Sequence, residues 1–239
     1  MGKDGFGKFF HIFVYKLIYV KRIIRAIRRR GVWNSVKALY DRYWFELRYG
    51  LNMQSEKIAG QAETLKTNYK YEPISHYVFN RMMKKVNWNF RDSTFLDFGC
   101  GKGAAILLAT QYHFKKYIGV EYSRDLVDGC VANVEKFSKK ARQRIPYEIV
   151  CTDAAMYQIP PDGNVFYFFN PFNRDLLDTV LQNIDLSVKK HSRNVLLFYF
   201  NAQFKDVIEK HGYKEIFSEP ADKVNIWYQF GNYAYLKNN

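Results

Sequence analysis

Over the second half of the chain, short apolar runs alternate with longer segments whose apolar residues fall at helical spacing. Phe95–Phe98, Tyr117–Val120, Tyr147–Val150, Val165–Phe169 and Val195–Tyr199 are aromatic and β-branched runs too short for buried helices, so they predict strands. Ala104–Tyr112, Arg124–Lys140, Arg174–Lys189 and Ala202–His211 read as helices. Strands alternating with helices predict a parallel sheet with right-handed crossovers and helices on both faces. Two more aromatic runs, Asn225–Phe230 and Asn232–Leu236, flank the step Phe230-Gly231-Asn232. That step reads as a tight turn, so the two runs predict a closing antiparallel hairpin. The expected fold is a three-layer α/β/α domain with a mostly parallel sheet and a reversed strand near the C-terminus.

Upstream the pattern changes. Phe9, Phe10, Phe13, Leu17, Val20, Ile23, Ile24 and Ile27 have helical spacing, Gly31 interrupts it, and Val32, Val36, Leu39, Tyr40, Tyr43 and Leu47 resume it. Lys16, Lys21, Arg22 and Arg25 break the apolar run short of the roughly 20 residues a membrane span needs. Tyr49 to Asp92 is a connector of mixed periodicity. The net charge is +14, and it is uneven: residues 1–50 hold 12 Lys and Arg against only Asp4, Asp41 and Glu46. The chain therefore divides into a basic amphipathic helical extension over 1–48 and an α/β domain over 49–239. Such an extension can pack its apolar side on the domain, lie in the interface of an anionic membrane, or track the phosphates of a nucleic acid.

The cysteines are Cys100, Cys130 and Cys151. An odd count without Cys-x-x-Cys spacing argues against a disulfide framework or a zinc site, and fits a reduced, cytoplasmic compartment. Peripheral attachment at the inner face of the membrane is compatible with the basic extension. Met1–Lys8 lacks the features of a signal peptide. None of the five histidines has metal-ligand spacing, so no metal is expected.

The densest chemistry lies in Asp97-Phe98-Gly99-Cys100-Gly101-Lys102-Gly103, at the junction of the first strand and first helix. Glycines there allow a tight turn and close approach to a ligand, and the helix start offers unpaired N–H groups. Gly99-x-Gly101-x-x-Ala104 satisfies the dinucleotide fingerprint, whereas Asp97-x-Gly99-x-Gly101-x-Gly103 satisfies a methyltransferase loop. Asp97 separates the two readings. A carboxylate is repelled by a pyrophosphate but complements the ammonium of the methionine moiety of S-adenosylmethionine. Glu121, in Gly119-Val120-Glu121-Tyr122-Ser123, can accept hydrogen bonds from both ribose hydroxyls of either cofactor. Asp153, in Cys151-Thr152-Asp153-Ala154, can accept from an adenine amino group or cap a turn. Three acids after three successive strands are a stronger signal than the glycines. The fourth strand ends in Asn170-Pro171-Phe172, which reads either as part of an acceptor site or as the start of a loop.

Phe95–Asn133, with Asp153 and the Asn170-Pro171-Phe172 step, resembles the class I S-adenosylmethionine-dependent methyltransferases. It is similar to a bacterial group of them with an Asp-x-Gly-x-Gly-Lys-Gly loop, a Gly-Val-Glu-x-Ser strand end and an Asn-Pro-Phe step. Tyr49-Gly50-Leu51 and Tyr71-Glu72-Pro73 look like the same group, so the resemblance runs from about Tyr49 to His211. It implies a Rossmann-like sheet of seven strands and S-adenosylmethionine as cofactor. The implied contacts are Asp97, Gly99, Gly101, Gly103, Glu121 and Asp153, with Cys100, Tyr122, Ala154 and Asn170 in the same pocket. In amino-methylating members an Asp or Asn, two prolines and an aromatic hold a planar nitrogen; here one proline precedes Phe172. A nitrogen acceptor needs little beyond hydrogen-bond acceptors such as Asn170. A hydroxyl acceptor needs a base, for which Glu72 and His76 are the candidates. The implied activity is methyl transfer to a nitrogen or oxygen nucleophile. A cofactor-binding module without turnover stays open, as does an NAD(P)-dependent oxidoreductase, which Asp97 opposes.

Overall fold

The computed structural model describes residues 45–53, 73–220 and 230–238, and between these and residue 24 the positions 24, 27–28, 31–33, 35–36 and 40. Its centre is a seven-stranded sheet: β1 (Thr94–Phe98), β2 (Lys116–Glu121), β3 (Tyr147–Cys151), β4 (Gly163–Phe169), β5 (Val195–Phe200), β6 (Lys214–Glu219) and β7 (Asn232–Lys237). The order across the sheet is β3-β2-β1-β4-β5-β7-β6. Neighbours pair in parallel from β3 to β5, and β7 runs antiparallel to both β5 and β6. β1 and β5 are buried along their whole length, as expected of strands covered on both faces.

Helices α1 (His76–Lys85), α2 (Ala104–Ala109) and α3 (Arg124–Ala141) cover one face, and α4 (Arg174–Lys190) and α5 (Lys205–Lys210) the other. In α1 the apolar residues Val78, Phe79, Met82 and Met83 repeat at helical spacing and are buried. Phe79 stacks on Phe200 and meets Phe95 and Tyr167, which seats α1 across three strands. On the opposite face Phe98 stacks on Phe168, with ring centroids 5.4 Å apart.

The expected partner of the last strand is corrected by this sheet. β7 begins at Asn232 as predicted, but its two edges are taken by β5 and by Lys214–Glu219. Residues 225–229 of the run read as its hairpin partner lie outside the described residues, and Phe230 is a bend. β6 escaped the reading because it is an edge strand with charged Lys214 and Glu215 at its start. A register shift between Glu215 and Phe217 also breaks its alternation.

Two features attach the chain upstream of the sheet. Residues 45–49 form a helical turn, with Phe45 and Tyr49 against Phe137 of α3 at centroid distances of 5.8 and 4.4 Å. Asn133, buried on α3, accepts from the Asn52 backbone N–H (3.0 Å) and donates to the carbonyls of Asn52 (3.2 Å) and Lys102 (3.0 Å). One side chain thus fastens the connector and the glycine loop to the same helix. Asn133→Ala leaves three backbone groups, the buried Lys102 carbonyl among them, without this partner. It is expected to destabilise the protein by about 2–3 kcal/mol, lowering Tm by about 5–10 °C in a thermal melt. An unchanged Tm would show that the clip holds nothing.

Candidate cofactor and active site

Strand alternation places Asp97 on the same face as Phe95, toward α1, because Leu96 and Phe98 point into the opposite core. Its side chain is 2% exposed. Among the described residues nothing donates a hydrogen bond to it. Burial pushes its carboxyl well above the usual range, and the nearby charge of Glu121 pushes it further in the same direction. A cationic ligand would reverse both effects.

Glu121 ends β2, the neighbour of β1. Its Oε2 accepts from the Gly101 backbone N–H (3.0 Å) and its Oε1 from that of Ser123 (2.9 Å). The carboxylate is therefore fixed at the glycine loop and keeps lone pairs for two further donors. The loop itself hooks over β2, with the N–H groups of Gly99 and Cys100 both donating to the Val120 carbonyl. Gly99 has φ +74°, and a Cβ there would lie 2.7 Å from the Cβ of Pro171. Gly103, which precedes α2, has φ +82°, and its Cβ would lie 2.6 Å from the Cys130 sulfur. Both positions combine a left-handed backbone with no room for a side chain, so the loop keeps this path only with glycine. Cys100 is buried, and its proximity to Cys130, its burial and the two carboxylates push its thiol well above the ordinary value. That environment makes an inert thiol rather than a nucleophile.

Asp153 follows β3, exposed, and its Oδ1 caps the 3-10 turn Ala154–Met156 by accepting from the Ala155 N–H at 2.8 Å. The capping role is thus realised, and the second oxygen remains available to a ligand. Ala154 is buried under that turn, and Tyr122 is exposed beside Glu121. Asp97, Glu121 and Asp153 therefore line the carboxyl edge of three adjacent strands, where open α/β sheets bind their ligands.

Asn170 stands at the same edge after β4, with φ +43°. A left-handed non-glycine residue stores about 1–3 kcal/mol of strain, and Asn tolerates it best. Its Oδ1 accepts from the Tyr199 hydroxyl at 3.1 Å, a partner on β5 that nothing in the sequence pattern marks. Phe172 does not face this edge. It is 7% exposed and packs against Phe98 and Phe168 in the opposite core, so no aromatic platform follows Asn170. With one proline, the chain turns inward one residue too early for that.

Glu72 lies outside the described residues. The Nε2 of His76 meets the Asn80 amide nitrogen at 3.0 Å and the Gln111 amide nitrogen at 3.1 Å. Both amides meet the same ring nitrogen, so His76 is held by hydrogen bonds to α1 and to the turn after α2. His76 also lines a shallow, open pocket with Phe45, Met53, Ile74, Ala104 and Leu108. This pocket adjoins the start of α2 on the α1 side of the sheet.

Asp97 raises the cost of folding in a pH-dependent way. A carboxyl whose folded pKa lies above its unfolded value destabilises the fold as pH rises from about 4 through that higher value. Asp97→Asn removes the penalty. The variant is expected to melt at least about 2 °C above the parent at pH 7, the shift given by ~1 kcal/mol in a domain of this size. The gap is expected to close below pH 4. A variant that melts lower at pH 7 would show that the carboxylate is satisfied within the protein.

No family model and no curated protein matches the sequence. Solved structures do match in shape. The StiE O-MT, residues 961–1257, is similar with a TM-score of 0.51 and 14% identity, over 68% of this chain and 74% of that one. An S-adenosylmethionine-dependent methyltransferase from Aquifex aeolicus is similar with a TM-score of 0.50 and 11% identity, over 67% and 88%. With the strand order and the reversed β7, these likenesses show that the chain has the Rossmann-like fold of the S-adenosylmethionine-dependent methyltransferases.

Proposed function

We propose that this protein binds S-adenosylmethionine at the carboxyl edge of β1, β2 and β3 and transfers its methyl group to a nitrogen or oxygen nucleophile. The observation that carries the reading is the buried Asp97 carboxylate, which lacks a donor among the described residues and has a second carboxylate beside it. A site built this way is complementary to a cation and repels a pyrophosphate, which argues against NAD(P).

When bound, S-adenosylmethionine supplies a methyl carbon already activated by the positive sulfur. Asp97 holds the ammonium of the methionine moiety, and Glu121 accepts from the ribose hydroxyls while Gly101 fixes it in place. The backbone of Gly99, Gly101 and Gly103 allows close approach, and the second oxygen of Asp153 accepts from the adenine amino group. Tyr122 and Ala154 border the nucleoside, and Cys100 backs the loop without reacting. Asn170, held by Tyr199, orients the acceptor at the end of β4. The protein's task is then alignment of nucleophile and methyl group and exclusion of water. The buried Phe172 offers no platform for a planar amine. Glu72 and His76 stay the candidate bases for a hydroxyl acceptor.

No described helix is long and apolar enough to cross a membrane. We place the protein in the cytoplasm, where its unpaired cysteines stay reduced. The basic extension would meet a polyanionic partner there.

Titration calorimetry separates the readings. S-adenosylmethionine is expected to bind with micromolar affinity and NAD at least about a hundredfold more weakly, a difference of ~2.7 kcal/mol. Glu121→Gln, which keeps one oxygen, is expected to lower S-adenosylmethionine affinity at least about tenfold in a folded protein. Tight NAD binding with no S-adenosylmethionine binding would overturn the assignment. Cofactor binding without methyl transfer to any nucleophile would make the protein a sensor of the cofactor.

A further inference from the structure

Residues 32–49 carry apolar side chains on two sides. Phe45 and Tyr49 pack inward on α3, and Ser35 is buried, its hydroxyl donating to the Gly31 carbonyl at 2.9 Å. Val32, Trp33, Val36, Tyr40 and Leu47 face outward, with Trp33 81% and Leu47 76% exposed. The sequence gives this stretch helical spacing, at which these five positions share an arc of about 100°, roughly opposite Phe45 and Tyr49. Exposed apolar side chains grouped in this way, Val32, Trp33, Val36 and Leu47 above all, mark an interaction surface.

Charge narrows the partner. Arg25 and Arg28–Arg30 precede the stripe in sequence, and Lys37, Arg42 and Arg48 fall within its span, against Asp41 and Glu46. Arg28 and Arg48 are exposed. A second copy of the chain would bring two strongly basic surfaces face to face, which like-charge repulsion opposes. A nucleic acid would use the cations through its phosphates but would leave Val32, Val36 and Leu47 in water. An anionic lipid surface uses both: its headgroups meet the cations, and its acyl boundary takes the apolar side chains, with Trp33 and Tyr40 suited to the interface itself. We infer that the outward stripe Val32–Leu47 docks the protein on an anionic membrane surface, parallel to it and without crossing it. The inference is independent of the methyl-transfer reading.

The test uses the full chain in cosedimentation with vesicles of equal parts phosphatidylglycerol and phosphatidylcholine, and with vesicles of phosphatidylcholine alone. The protein is expected to bind the anionic vesicles at least about tenfold more tightly than the neutral ones, and less so as salt rises. Trp33→Ser/Val36→Ser/Leu47→Ser is expected to lose at least about tenfold on anionic vesicles, with its circular dichroism and S-adenosylmethionine titration as in the parent. Trp33→Ser alone, at the most exposed of these positions, is expected to show part of the loss and guards against misfolding of the triple variant. Failure of the parent to bind anionic vesicles would overturn the inference, as would undiminished binding by the triple variant. So would a loss confined to binding of single-stranded RNA, or to self-association in sedimentation velocity.

Discussion

A carboxylate is buried at the carboxyl end of β1 with no positive group to neutralise it among the described residues, and the arrangement of the site follows from that. Desolvation disfavours the charged form of Asp97, and Glu121 on the next strand adds repulsion. Nothing within the described fold requires a charge there, since an amide of the same shape would be cheaper to bury. Such a residue is intelligible as one half of an interaction whose other half is a ligand. In the proposed reading the ligand is cationic where it meets Asp97 and offers hydrogen-bond donors where it meets Glu121.

The surrounding elements serve to hold these groups still. Glu121 is tied to the loop amide of Gly101, so the second carboxylate and the loop share one position. Pro171 closes over Gly99 and Cys130 over Gly103, leaving the loop no volume in which to relax. Asn133 fixes that loop to α3 and to the connector at Asn52 with a single amide. The strain at Asn170 sits at the same edge, held by Tyr199 from the neighbouring strand. Local instability is thus concentrated where the chemistry is and is offset by two aromatic cores on either face of the sheet.

Much of this was legible in the sequence because the signals were strong and local. β1 to β5 are continuous apolar runs, and their helices carry clear periodicity. The acids at Asp97, Glu121 and Asp153 stand at or just beyond the ends of three strands, where a parallel sheet exposes its carboxyl edge. What stayed hidden depends on distant parts of the chain. β6 is an edge strand with a charged start and a shifted register, so its pairing with β7 is visible only in three dimensions. Phe172 reads as a platform beside Asn170, yet packing against Phe98 and Phe168 turns it inward. The contacts of His76 with Asn80 and Gln111 likewise join residues that the sequence keeps apart. Asn133 left a faint trace, a polar residue on the apolar face that carries Cys130, Val134 and Phe137, and that trace marked a clip rather than a ligand.

The central claim is that Asp97 is kept for a cation, and proton release on binding tests it most directly. Calorimetric titrations of S-adenosylmethionine below pH 7, in buffers of different ionisation enthalpy, report the protons exchanged. If Asp97 ionises to meet the ligand, binding releases protons to the buffer, and affinity weakens as pH falls toward the ordinary carboxylate range near about 4. Asp97→Asn then shows neither effect and binds more weakly at every pH. Affinity that is independent of pH in the parent, with no proton release and with equal binding by Asp97→Asn, would contradict the account.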